Sequence, residues 1–317
     1  MSSRDTAYST DNIDRLLHEA YDLTRSHKLA ESLTRLEQGL SIDFDRAEII
    51  AAMKCVNFWI DRQRSTEEMN NAFDAGEYLL AQWRVFLGFV ARIGTVDEAC
   101  MFAMRQHAFG SALLYYRQLL QEAGNHDALL FLRVGRCYKG KGDYERALQF
   151  LEAATRENRE DAETLSELAD CYALINEVHA AKAMFREALF IDASAIDLHN
   201  LESEMIGRLV SKVRELGYNG TELKEWLPVF GELFGVFTVK RELRPIEYGK
   251  LKQAIYALER EYHETKQGKE LLKPRLLNHY FWLVDHYEIA GGERALSDEV
   301  LLKIRSVDED IHRQYTS

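Results

Sequence analysis

One segment of the sequence repeats itself at an interval of 34 residues, and this feature limits the possible folds more than any other. Residues 128–161 and 162–195 align without a gap, and aligned positions keep the same class of side chain. The first copy has Phe131, Val134, Gly135, Tyr138, Gly142, Ala147, Leu151 and Ala154, and the second has Leu165, Leu168, Ala169, Tyr172, Asn176, Ala181, Phe185 and Ala188. Unrelated helices can share a 3.6-residue period, but they would not keep small residues in phase across two helices. The pattern therefore predicts a repeated helix–turn–helix unit.

The two copies resemble tetratricopeptide repeats, in which a small residue and a tyrosine in the first helix precede an alanine and a large residue in the second. Both copies depart from the family at its terminal proline, where Arg159 and Ala193 stand. The chain has only three prolines, none before Pro228. At the average usage of about 5 %, a chain of this length would have roughly fifteen. The resemblance implies an all-α fold in which helix pairs stack into a superhelical array.

Weaker copies extend the predicted array toward the N-terminus. Cys100, Ala112 and Tyr116 lie 35 residues before Gly135, Ala147 and Leu151, and Ala20 and Leu23 occupy the small and large positions of a first helix. A helix pair near 46–61 and 65–86 fits the pattern poorly. We therefore expect a tetratricopeptide-like array over residues 13–195, with about five helix pairs, preceded by a disordered N-terminus at residues 1–12.

The repeat pattern ends after residue 195. A helix over residues 196–216 is expected to cap the array, because a terminal repeat needs a more polar outer face. A break at residues 217–220 then separates a C-terminal helical module, residues 217–317, with helices near 221–237, 246–266, 274–289 and 297–314. The sequence leaves open whether this module consists of diverged repeats or is a separate functional unit.

Charge and cysteine content narrow the possible partners and compartment. The chain has 52 acidic and 40 basic residues, a net charge of −12. Nucleic-acid binding needs a positive surface, so the charge argues against it and favours a neutral or basic protein partner. The four cysteines have neither metal-site spacing nor the density of a disulfide scaffold. Neither a secretory signal nor a membrane-spanning stretch is visible, so we expect a soluble cytoplasmic protein without membrane insertion.

Few motifs suggest chemistry. Residues 135–142 resemble a phosphate-binding loop, but Gly142 stands where that loop has Ser or Thr, and Gly135 lies inside a repeat helix. His279 and His286 would share a helix face near Asp285, yet a zinc site needs three or four converging ligands. The sequence therefore predicts no cofactor, no metal and no enzymatic activity.

The resemblance implies a binding groove on the concave side of the array, lined by the first helix of each pair. The groove positions carried over from the family are Met101, Met104, Leu129, Leu132, Arg136, Lys139, Glu163, Ser166, Asp170, Asp197 and Asn200. Only Arg136 and Lys139 could contribute to the Lys, Asn and Arg cluster with which some family members bind a terminal carboxylate. A segment with apolar anchors and one or two basic residues fits this mixture better than an acidic tail.

These features favour a non-enzymatic scaffold or adaptor that holds a partner segment in the groove. Two alternatives stay open at this point. One is a regulatory protein that responds to a peptide or small ligand, and the other is an enzyme with a site around His279, Asp285 and His286. The identity of the partner and the oligomeric state are not encoded in any pattern that we can interpret.

Overall fold

A computed structural model of the chain describes residues 3–122, 127–265, 267–291 and 294–317. Every regular element in these ranges is helical, which confirms the predicted all-α fold. The chain divides into two compact units, Met1–Glu157 and Asn158–Ser317. The division falls near the end of the first of the two best repeat copies, residues 128–161. Among the described residues, no helix combines the length and apolar character needed to cross a membrane.

The first unit consists of seven helices in its described residues. They are α1 (Ser3–Arg25), α2 (Leu29–Ile42), α3 (Ala47–Glu67), α4 (Ala72–Ile93), α5 (Glu98–Glu122), α6 (Ala128–Gly140) and α7 (Tyr144–Glu157). The pairs α1–α2, α4–α5 and α6–α7 pack side by side, and α3 contacts both α2 and α4. Helix α1 begins at Ser3, so the disorder expected for residues 1–12 is corrected to a helix from that residue, and residues 1–2 lie outside the described residues. Ser, Thr and Asp lower helix propensity only slightly, which is why the helix can continue through them.

Small residues stand where the paired helices approach most closely. A Cβ atom added to Gly135 would lie 2.7 Å from Leu151, and one added to Gly76 would lie 2.6 Å from the Tyr116 ring. Tyr116 therefore corresponds to Leu151, which lies on the second helix of its pair, as the repeat spacing predicted. The first helix of the pair that contains Tyr116 is α4.

The weak copy around Cys100 lacks the turn that separates the two helices of a tetratricopeptide-like repeat. Cys100 and Ala112 both lie on the uninterrupted helix α5. Gly110 in this helix serves a different purpose, because a Cβ atom there would lie 2.7 Å from the His27 ring. The glycine permits close approach of a neighbouring side chain and does not end the helix.

Three of the predicted helix pairs turn in the same way. The turn residue has a positive φ angle in each, at His27, Gly142 and Asn176. The next N–H then donates 2.9 Å hydrogen bonds back into the first helix, from Lys28 to Leu23, from Asp143 to Tyr138 and from Glu177 to Tyr172. The Leu23 carbonyl thus accepts the same turn hydrogen bond as the carbonyls of the two repeat tyrosines.

The second unit contains the last repeat and the C-terminal helices. Its described α-helices are α8 (Ala162–Leu174), α9 (Val178–Asp192), α10 (Glu204–Glu215), α11 (Gly220–Leu233), α12 (Pro245–Glu264), α13 (Lys269–Ile289), α14 (Arg294–Val307) and α15 (Glu309–Tyr315). Two short 3₁₀ turns, Ala193–Ala195 and Leu198–Asn200, lie between α9 and α10.

Two expectations for this part of the chain were wrong in their boundaries. The capping helix predicted for residues 196–216 begins only at Glu204, because Asp192 and Asp197 cap the two 3₁₀ turns and end regular helix there. The helix predicted for residues 297–314 is interrupted at Asp308, whose carboxylate accepts the Ile311 N–H and starts α15.

One hydrophobic core joins the last repeat to the C-terminal helices. It contains Phe185 and Leu189 of α9 together with Trp226 of α11 and Phe281 and Trp282 of α13, all at most 4 % exposed. Since burial of an aromatic side chain contributes about 2–3 kcal/mol, these contacts bind residues 162–195 and 217–317 into one stable body.

Candidate functional site

The predicted groove residues of the first unit lie on α5 and α6, which pack against each other. Leu129 is the most accessible of them, with 43 % of its surface exposed, and Met101 is half-buried. The other four, Met104, Leu132, Arg136 and Lys139, are buried. Among the predicted groove residues of the first unit, Leu129 and Met101 are therefore the two that a partner could contact.

The α5 helix also holds the end of α6 in place. The Arg105 Nε–H donates to the Gly140 carbonyl, and the Gln106 amide donates to the Lys141 carbonyl at 2.6 Å. These bonds satisfy carbonyls that a helix C-terminus leaves without intrahelical partners. Sequence analysis missed both residues, although each lies 35 residues before its acceptor.

The predicted groove residues of the second unit lie on α8 and on the second 3₁₀ turn. Ser166 and Asp170 are buried, whereas Glu163, Asp197 and Asn200 are half-buried. The Asp170 carboxylate accepts the N–H groups of Glu202 and Ser203 at 2.8–3.1 Å. Asp170 thus fixes the segment that leads into α10, a structural role that its groove position in the sequence did not reveal.

The residues considered for an enzymatic site occupy different surroundings along α13. The Asp285 carboxylate pairs with Arg186 and lies 2.5 Å from Lys240 Nζ. His286 Nδ1 accepts the Leu243 N–H at 3.2 Å, and His279 Nδ1 lies 2.7 Å from the Arg275 carbonyl oxygen. Asp285, His286 and His279 thus each interact with a different residue and not with one another. Within the described ranges, no group of three or more His, Cys, Asp or Glu side chains could hold a metal ion.

A pair of histidines lines a cavity of about 310 Å³ in the first unit. The Nδ1 atoms of His27 and His107 are 3.3 Å apart, and the Ser111 hydroxyl lies 3.0 Å from His27 Nδ1. Burial lowers the pKa of His107 to about 3, and burial followed by the positive charge of Lys141 lowers the pKa of His27. Both rings are therefore neutral at pH 7.

The histidine pair predicts that the first unit loses stability in acid. An unfolded histidine binds a proton near pH 6.5, whereas folded His107 does so only near pH 3, so protons favour the unfolded state between these values. Lowering the pH from 7 to 5 should cost about 2 kcal/mol from His107. Hydrogen exchange of residues 11–121 at both pH values measures the loss, His107→Gln should reduce it, and exposed His18→Gln should not. A pH response unchanged in His107→Gln would contradict the assignment.

Comparison with known proteins agrees with the repeat pattern. A sequence model described as "Tetratricopeptide repeat" matches residues 103–163 and 138–205. The chain also aligns with the crystal structure of the P58(IPK) TPR domain, at 14 % identity over 96 % of each chain and a TM-score of 0.25. This structural likeness is too low to support any argument, and no curated protein matches the chain.

The assignment thus depends on two observations, the matched residues and the local geometry of the helix pairs. The two matches together cover residues 103–205, which include both gap-free copies. The same turn appears in both copies, and the first copy also shows the close helix approach at Gly135. Residues 103–205 of this chain therefore match tetratricopeptide repeats in both sequence and local geometry.

Proposed function

We propose that this protein is a non-enzymatic interaction scaffold whose repeats hold a segment of a partner protein. The proposed contact residues are those carried over from the family, with Met101, Leu129, Glu163, Asp197 and Asn200 as the members with accessible surface. The observation that carries the proposal is the repeat match itself, because tetratricopeptide repeats generally serve as protein-interaction modules. The buried members, such as Lys139 and Asp170, would position the accessible ones.

The composition supports a particular kind of partner segment. The chain has a net charge of −12, which favours encounter with a neutral or basic segment through long-range attraction. Leu129 and Met101 offer apolar contact area, and methionine adapts to irregular side chains. We therefore propose a partner segment with apolar anchors and one or two basic residues. The four cysteines are buried and form no disulfide within the described residues, which supports the proposed cytoplasmic location.

The proposal predicts that Leu129→Glu abolishes most partner binding without unfolding the protein. Peptides selected from a random library by the intact chain should be neutral or basic and contain apolar anchors. Their affinity should fall at least about tenfold in Leu129→Glu, because a charge replaces an apolar contact. Residue 129 lies in the first turn of α6, where a carboxylate is compatible with the helix dipole.

Leu87→Glu provides a matched control. Leu87 lies on α4 in the same unit and is 45 % exposed, close to the 43 % of Leu129. This variant should bind the selected peptides as the unmodified chain does, and both variants should keep the same helical circular dichroism. Selection of acidic peptides, or equal binding by Leu129→Glu and the unmodified chain, would exclude the proposed surface.

A further inference from the structure

The second unit contains a polar cavity that none of the proposed partner-binding residues lines. It has a volume of about 350 Å³ and lies between the end of α9, α11 and α13. Its walls are formed by residues 189–194, by Glu225 and Pro228, and by Arg275, Asn278 and His279. This volume is within the range of small-ligand sites.

Asn278 is the first indication that the cavity is built for a ligand. The residue is only 7 % exposed, and its carboxamide makes no hydrogen bond to any residue that the structure describes. The polar side-chain atoms of a buried residue normally have a hydrogen-bond partner. The Asn278 side chain is thus a donor and acceptor held ready at the cavity wall.

His279 adds a hydrogen-bond acceptor beside Asn278. Its Nδ1 atom lies 2.7 Å from the Arg275 carbonyl oxygen, which can only accept, so the proton is on Nδ1. Burial lowers the pKa of His279, which keeps the ring neutral at pH 7. In this tautomer Nε2 carries a lone pair, and the ligand must therefore supply a donor.

The charges around the cavity favour a cation. Arg275 and Glu225 form a two-bond pair, with Nε–Oε2 at 2.8 Å and NH2–Oε1 at 2.5 Å, and they neutralise each other. Asp192 remains as a further carboxylate. Although partial burial opposes its ionisation, hydrogen bonds from Ser194 and Ala195 keep the pKa of Asp192 below its usual value.

The end of α9 reinforces this negative potential. The helix ends at Asp192, so the final carbonyl groups and the negative end of the helix dipole belong to residues that line the cavity. Two cations lie at the cavity and both have partners, since Lys224 Nζ donates to the Ser194 carbonyl oxygen at 2.9 Å and Arg275 pairs with Glu225. The Asp192 carboxylate accepts hydrogen bonds only from uncharged groups, those of Ser194 and Ala195.

Aromatic rings add a surface on which a planar cation can stack. Phe190 and His279 are the aromatic residues in the cavity wall, and their ring centroids are 5.0 Å apart. A guanidinium group is planar, always charged and rich in donors, and it stacks on aromatic faces. It therefore matches the acceptors of Asp192, Asn278 and His279 better than a compact ammonium group does.

We propose that this cavity binds a guanidinium group, supplied either by a small arginine-like molecule or by an arginine side chain of a peptide. Both sources present the same chemistry to Asp192, Asn278 and His279. The proposal is independent of the partner-binding surface proposed above, because the two sets of residues do not overlap.

Calorimetric titration of the full chain tests the proposal with two nearly isosteric probes. Arginine amide carries the guanidinium group, whereas citrulline amide replaces it with a neutral urea. Arginine amide should bind at least about tenfold more tightly, which corresponds to about 1.4 kcal/mol. It should also raise the melting temperature, since a ligand of the native state stabilises that state. An acetylated Ala-Arg-Ala amide that binds more tightly still would identify a peptide as the source, and weaker binding would identify a small molecule.

Variants of the cavity wall make the test specific. Asp192→Asn removes the charge but keeps an oxygen that can accept the Ser194 and Ala195 N–H groups, and Asn278→Ala removes the unpaired carboxamide. Each should weaken arginine amide binding about tenfold, whereas Asp310→Asn, at an exposed carboxylate on α15, should leave it unchanged. Equal binding of the two probes, no binding of arginine amide, or unchanged binding in both cavity variants would overturn the proposal.

Discussion

Phe185→Ala should destabilise the whole second unit by about 3–5 kcal/mol, the cost of removing a large aromatic side chain from a packed core. Phe185 is 1 % exposed on α9 and belongs to the core that includes Trp226 and Trp282. Hydrogen exchange followed by mass spectrometry can measure the effect in the full chain. Peptides from α8 and α9 and peptides from α11 and α13 should all exchange about a hundredfold faster or more, because each 1.4 kcal/mol corresponds to a factor of ten.

The comparison variant is Phe44→Ala. Phe44 is 77 % exposed, so the same substitution should change stability by no more than about 0.5 kcal/mol. If Phe185→Ala accelerated exchange only in residues 162–192 and left 220–289 unchanged, the last repeat and the C-terminal helices would not form one cooperative body.

Asp285→Asn should produce a loss of similar size, about 3–5 kcal/mol, because it leaves buried positive charge without its partner. The Asp285 and Arg186 side chains are 1 % and 5 % exposed and form an ion pair. Lys240 Nζ also lies 2.5 Å from Asp285, and Glu232 is 3.6 Å from Arg186. Removing the Asp285 charge leaves two cations beside Glu232, whose own pKa is raised by burial.

Exchange of α9 and α13 peptides reports this loss directly. Asp310→Asn is the matched control, because Asp310 is 80 % exposed and its pair with Arg313 lies on the surface. Exposed pairs contribute about 0–1 kcal/mol, so this variant should behave like the unmodified chain. A stability of Asp285→Asn equal to that of Asp310→Asn would show that the buried pair is not needed for the fold.

The repeat pattern predicted the helix pairs where a small side chain marks the helix crossing. Gly135 and Ala169 identified α6 and α8, and Ala20 with Leu23 identified α1, because close packing of two helices requires these small residues at fixed phase. The turn at His27 was recognisable only by its alignment with Gly142 and Asn176. Its backbone has the same positive φ angle, which histidine adopts less readily than glycine.

Other features depend on contacts between residues that are far apart in the sequence, and a local sequence pattern cannot predict such contacts. Spacing alone could not distinguish a turn near His107 from a continuous α5, since the decisive contact joins Gly110 to His27. The start of α10 depends on Asp170, more than 30 residues earlier. The polar cavity likewise brings together three helices whose residues share no motif. The sequence pattern indicated His279 only as part of an alternative enzymatic site.

Site-specific photocrosslinking tests the central claim, binding of a partner segment by the repeats, most directly. A photoreactive p-benzoylphenylalanine would replace Leu129 in one sample and Leu87 in another, each in the full chain with a library-selected peptide. Our account predicts an efficient crosslink from position 129 and none above background from position 87, whose exposure is nearly the same. A crosslink from position 87 with none from position 129 would contradict it.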